Sequence, residues 1–110
     1  MVEEIITSFG LFFFASLLEI GGGYLVWKWL REHNGKIFGL IGALILFSYG
    51  IVPTFQPANF GRVYAAYGGI FIISSILWGY WVDKKKPDRF EIIGSSIVLI
   101  GVVVMFYFPR

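Results

Sequence analysis

Between Ile5 and Trp27 the sequence carries a single charged side chain, Glu19, in the middle of an otherwise apolar run. Desolvation favours the neutral form of a carboxyl, and a nearby cation favours the ionised form. A carboxyl in such a place can therefore exchange a proton for a cationic ligand. The alternative role is a protonated group hydrogen-bonded to Ser or Tyr that holds helices together. Ala15, Ser16, Gly22 and Gly23 fall three or four positions away, on the same helical face. Small residues there leave room beside the carboxyl or let another backbone come close. A second group of interest is the stripe Tyr64, Tyr67, Phe71 and Ser74 or Ser75. Tyrosine rings hold organic cations by cation–π contact, and their hydroxyls can bond a carboxylate. Gly68 and Gly69 follow directly and permit a bend, so they are candidate hinge positions.

These residues need elements that fit a bilayer. The chain has 110 residues, 57% of them apolar and only 15% charged, with 12 Phe and 4 Trp. Soluble domains carry about 25% charged residues. Here the charges cluster and leave long uncharged stretches, as a solvent that penalises each central charge by roughly 2.5 kcal/mol demands. Four stretches qualify as spans: 5–27, 37–55, 63–82 and 92–108. At ~1.5 Å rise per residue they measure ~25–35 Å, against a hydrocarbon core of ~30 Å. None alternates polar and apolar residues as a barrel strand would, so helices are expected. The predicted fold class is an all-α membrane protein, a single four-helix transmembrane domain over 1–110. The first run is not read as a signal peptide, because it opens on Glu3 and Glu4 and ends in Tyr24, Trp27 and Trp29.

The intervening loops are short and polar, which predicts antiparallel sequential helices in one bundle. Loops 28–36 and 83–91 hold Lys28, Arg31, Lys36, Lys84, Lys85, Lys86 and Arg89, whereas the opposite side holds Arg62 and Arg110. The positive-inside rule places those two loops in the cytoplasm and both termini outside, in a cell (inner or plasma) membrane. Trp27, Trp29, Trp78 and Trp81 would then form an aromatic belt at the inner interface. The Lys84–Lys85–Lys86 run reads as a topology-setting loop and not as a nucleic-acid patch. In the last span Gly94, Val98, Gly101 and Met105 form a thin stripe suited to helix contact, and a homodimer through it is expected.

Enzymatic constellations are lacking. His33 is the only histidine and sits in a loop, cysteine is absent, and Asp83 and Asp88 read as caps or solvated charges. Gly21–Gly22–Gly23 lies inside a hydrophobic helix and is no phosphate loop. No catalytic residue, metal site or cofactor is expected.

Leu18-Glu19-Ile20-Gly21-Gly22-Gly23-Tyr24-Leu25-Val26-Trp27 and Gly61-Arg62-Val63-Tyr64-Ala65-Ala66-Tyr67-Gly68-Gly69 resemble the signatures of the YnfA-like small membrane proteins. Trp81-Val82-Asp83 followed by Pro87 resembles that family's third loop, and the resemblance covers essentially the whole chain. It departs in having Gly where members commonly carry a Cys near the glycine run, and Glu91 where they carry Asp. A remoter similarity is to the small multidrug resistance transporters of the drug/metabolite transporter superfamily. The first-helix pattern of that group matches Leu18-Glu19-Ile20-Gly21, and its third-helix aromatics fall on Tyr64 and Tyr67. Its glycine kink falls on Gly68-Gly69, and its dimer motif resembles Gly94 to Gly101. The resemblance implies proton-coupled efflux of a small cationic or drug-like compound by a homodimer. The alternative is a structural or accessory membrane subunit without transport, and a channel is a third reading that lacks an obvious filter. Multidrug members often insert both ways and pair antiparallel. The seven-to-two charge bias predicts one orientation here, hence a parallel dimer or a mixed one with another chain.

Overall fold

A computed structural model describes residues 2–110. Helix α1, Val2–Leu30, opens on Glu3 and Glu4, whose charges suit the positive end of the helix dipole, and has Lys28 in its last turn. It stops in a left-handed residue, His33, at φ 59°. Past it the Asn34 N–H donates back to the Lys28 carbonyl at 3.0 Å, which closes the end of the helix. Helix α2, Lys36–Ile51, tightens into a 3₁₀ turn over Val52–Phe55. Pro53 in that turn has no N–H to continue the α ladder. Helix α3, Phe60–Trp81, is capped by the Asn59 side chain, which accepts from the Arg62 N–H at 3.2 Å. It ends as α1 does, with Lys84 at φ 59° and the Lys85 N–H on the Gly79 carbonyl at 2.9 Å. Helix α4, Arg89–Val102, starts in a capping box in which Asp88 and Glu91 bond each other's backbone N–H. It loosens into a π turn over Val103–Tyr107.

Among the described residues there is no strand. All four helices, with their terminal turns, are long and apolar enough to cross a membrane. α1 packs along α2 and against α3, while α4 rests on α3, within overall dimensions of 49 × 34 × 22 Å. The core is a thin seam of Phe12, Ala15, Val63, Ala66, Tyr67, Ile70 and Val102. Large apolar side chains such as Phe14, Leu40, Phe47, Ile97 and Ile100 point outward, as they do where lipid replaces water.

Glycines set how close the helices come. A Cβ on Gly42 would lie 2.7 Å from the Gly22 carbonyl oxygen, and one on Gly22 would lie 2.9 Å from the Gly42 oxygen. The two backbones thus touch where α1 crosses α2. Gly39 lies beneath the Trp29 ring, and Gly69 lies beneath Val102 and Val98.

Candidate functional site

The Tyr67 hydroxyl on α3 donates to Oε1 of Glu19 at 2.6 Å, a length typical of a hydrogen bond to a charged oxygen. Tyr67 is 4% exposed, so this bond sits in the seam between α1 and α3. No basic side chain pairs with Glu19 among the described residues. Around the bond lies an aromatic cluster. The Tyr67 ring is 5.4 Å from Tyr49 of α2, 6.3 Å from Tyr64 and 5.9 Å from Phe71. Tyr49 enters the cluster through its tilted ring contact with Tyr67. The Glu19–Tyr67 bond therefore sits beside a cluster of three phenols from two helices, which offer hydroxyl dipoles and negative ring faces.

One turn toward the amino terminus, Ser16 is fully buried and donates to Ser74 of α3 at 2.8 Å. Ser16 thus joins the α1–α3 seam and does not line open space. Gly22 likewise leaves no cavity, because α2 fills it through Gly42 and Leu46. Gly23 does face open space. Helix α3 runs unbroken through Gly68 and Gly69. Gly69 admits α4, and Gly68 meets nothing within 4 Å. The α4 stripe is divided in the same way: Val98 turns inward onto Gly69, whereas Gly94 and Gly101 face outward with nothing near them.

Two features were not readable in the sequence. Tyr49 gave no signal, since its place beside Tyr67 depends on how α2 lies against the rest of the bundle. The second is a buried polar clamp near the chain termini. Ser8 donates to Gln56 Oε1 at 2.7 Å, and Gln56 Nε2 donates to the Ser8 carbonyl at 2.8 Å. The Tyr107 hydroxyl, in the π turn of α4, lies 3.0 Å from Ser8 Oγ. Beneath it Phe12 and Phe106 meet edge to face at 5.1 Å. Among the described residues no three His, Asp or Glu side chains gather as a metal site would require.

The glutamate on the glycine-bearing helix and the Tyr64/Tyr67 helix agree with one family. The family model described as "Uncharacterised BCR, YnfA/UPF0060 family" matches residues 5–110. The chain belongs to the YnfA/UPF0060 family. Among its relatives is a "UPF0060 membrane protein" of Clostridium beijerinckii, 57% identical over 109 residues, which cover 97% of this chain and 98% of the relative. Another is the "UPF0060 membrane protein YfjF" of Bacillus subtilis, 59% identical over 101 residues, 91% of this chain and 93% of the relative. No solved structure matches this member of the YnfA/UPF0060 family. Four spanning helices and relatives named as membrane proteins make this chain a multi-pass membrane protein.

Proposed function

We propose that this chain is a secondary transporter, which exports a small cationic compound and takes up protons at Glu19. The observation that supports this reading is the carboxyl held by the Tyr67 hydroxyl at 2.6 Å, with the Tyr49 and Tyr64 rings packed on Tyr67 and no basic partner among the described residues. A proton neutralises Glu19 in one half of the cycle. In the other half a cation takes its place, with the carboxylate as counter-charge and the faces of Tyr49, Tyr64 and Tyr67 as walls. Two copies would work together through the outward faces of Gly94 and Gly101, as the barely covered α4 allows. The chain would sit in the cell membrane with loops 28–36 and 83–91 in the cytoplasm and both termini outside. It has no enzymatic role in this reading. The test is flux in proteoliposomes under an imposed pH gradient, screened over cationic solutes. Glu19→Gln should fold and lose gradient-driven flux. Equal flux in parent and variant would sink the mechanism.

The bond itself favours a second reading, a non-transporting accessory subunit in which Glu19 and Tyr67 simply lock α1 to α3. That reading expects no flux from the parent and a loss of assembly in Glu19→Gln.

A further inference from the structure

Groups that recognise a cation gather a second time, at the end of the bundle away from the chain termini. A cleft of about 450 Å³ opens there between α1 and α3, walled by Tyr24, Trp27 and Trp78, with Glu32 and Asp83 at its mouth and Gly23 behind. That volume is within the ~300–1,000 Å³ of small-molecule sites. Tyr24 and Trp78 meet edge to face with centroids 5.4 Å apart, so their rings form a corner. Each acid immediately precedes the left-handed residue that ends its helix, His33 or Lys84. The two matching turns thereby bring both carboxylates to one opening.

The chain's own cations show what these walls accept. The Lys28 ammonium lies 5.1 Å from the Tyr24 centroid and 3.4 Å from a Glu32 oxygen. The Arg31 guanidinium lies 4.5 Å over the Trp27 ring. Among the described residues Trp78 carries no such cation, and Asp83 has neither an ion pair nor a hydrogen-bond partner. Two aromatic walls, Tyr24 and Trp27, and one carboxylate, Glu32, are therefore satisfied from within, and the pair Trp78 and Asp83 is left over.

We infer that this cleft is a second binding site, which takes an organic ammonium group against Trp78 and Asp83, with Lys28 as a tethered competitor on Tyr24 and Glu32. The site is independent of transport through Glu19. Ile20 and Gly23 of α1 line its wall, and Glu19 does not. An ammonium of this kind can come from a dissolved amine or from an ethanolamine lipid headgroup at the interface.

The experiment is a calorimetric titration of the intact protein with tetraethylammonium at constant ionic strength, in phosphatidylglycerol nanodiscs, followed in parallel by tryptophan fluorescence. Saturable binding is expected. Asp83→Asn and Trp78→Leu should each weaken it about three- to ten-fold, and Lys28→Gln should tighten it by a similar factor. In a Glu19→Gln background the saturable binding that Asp83→Asn and Trp78→Leu weaken should persist, which separates this site from the proposed transport step. Repeating the titration with phosphatidylethanolamine in the disc distinguishes the sources. A shift to higher concentration assigns the cleft to the headgroup, and an unshifted curve assigns it to dissolved amines. Absence of saturable binding in both the parent and Lys28→Gln would overturn the proposal. So would binding that Asp83→Asn and Trp78→Leu leave intact while circular dichroism shows both variants folded.

Discussion

A carboxyl whose partner is one buried phenol is poised between two uses, because the same bond can hold helices together or be surrendered to a ligand. Deleting the hydroxyl separates the Glu19–Tyr67 bond from the ring around it. Tyr67→Phe keeps the aromatic wall and leaves the Glu19 oxygen without its donor, a loss of about 1–3 kcal/mol. We expect that cost in unfolding of the detergent-solubilised protein, together with a clear drop in gradient-driven flux. Tyr49→Phe should cost less, since its hydroxyl does not make that bond. If Tyr67→Phe unfolds and transports like the parent, the bond serves neither use. Glu19 and Tyr67 stood out in the sequence because charge and hydroxyl groups are scarce in apolar runs. Their pairing across 48 positions, and the presence of Tyr49 beside them, depend on helix rotation and could not be read from spacing.

At the scale of the helix, glycines divide into those that let backbones meet and those that face lipid. Small-residue pattern alone does not separate the two classes: Gly22, Gly42 and Gly69 are contacts, whereas Gly21, Gly68, Gly94 and Gly101 meet nothing within 4 Å. Gly42→Ala places a methyl 2.7 Å from a backbone oxygen of α1, and a backbone cannot move aside as a side-chain tip can. It should destabilise the protein by about 1–3 kcal/mol in denaturant unfolding, as overpacking does. Gly21→Ala, which enters open space, should be neutral or slightly stabilising. A Gly42→Ala variant as stable as the parent would mean that the crossing is looser than 2.7 Å implies. The helix ends carry the same lesson. The ends of α1 and α3 use His33 or Lys84 at the left-handed position where glycine usually marks the stop, so these ends offered no glycine signal. Asp88, by contrast, which the sequence left as a cap or a solvated charge, does cap its helix, and Glu91 three residues later completes the capping box.

For the molecule as a whole, number of spans and family were the most legible properties, since long apolar runs and short charged loops leave few alternatives. How the spans sit was not legible. α4 lies against α3, with Phe106 and Tyr107 of its end turn on α1, and only 6% of its spanning stretch is buried within the chain. Hydropathy reports that a segment is apolar, and says nothing of whether protein or lipid covers it. Charge, on the other hand, acts on the entire chain during insertion. With seven basic residues in the two loops on one side and two opposite, a reporter fused to either terminus should register outside in nearly every copy. Equal signal from both sides would show that the bias does not orient this chain and would restore an antiparallel dimer.

The helices also differ in length, and the difference constrains the surroundings they tolerate. α1 has 29 residues, ~43 Å at ~1.5 Å each, against 16 residues of α2 and its four-residue 3₁₀ extension. The touching backbones at Gly22 and Gly42 prevent the two from adjusting independently. Their apolar stretches, 5–27 and 37–55, measure ~34 Å and ~30 Å, so a hydrocarbon layer of ~30 Å leaves a mismatch of a few Å on α1, at a fraction of a kcal/mol per Å, relieved by tilting the pair as a unit. Acyl-chain length thereby becomes a control on the depth of Glu19 between the two aqueous phases.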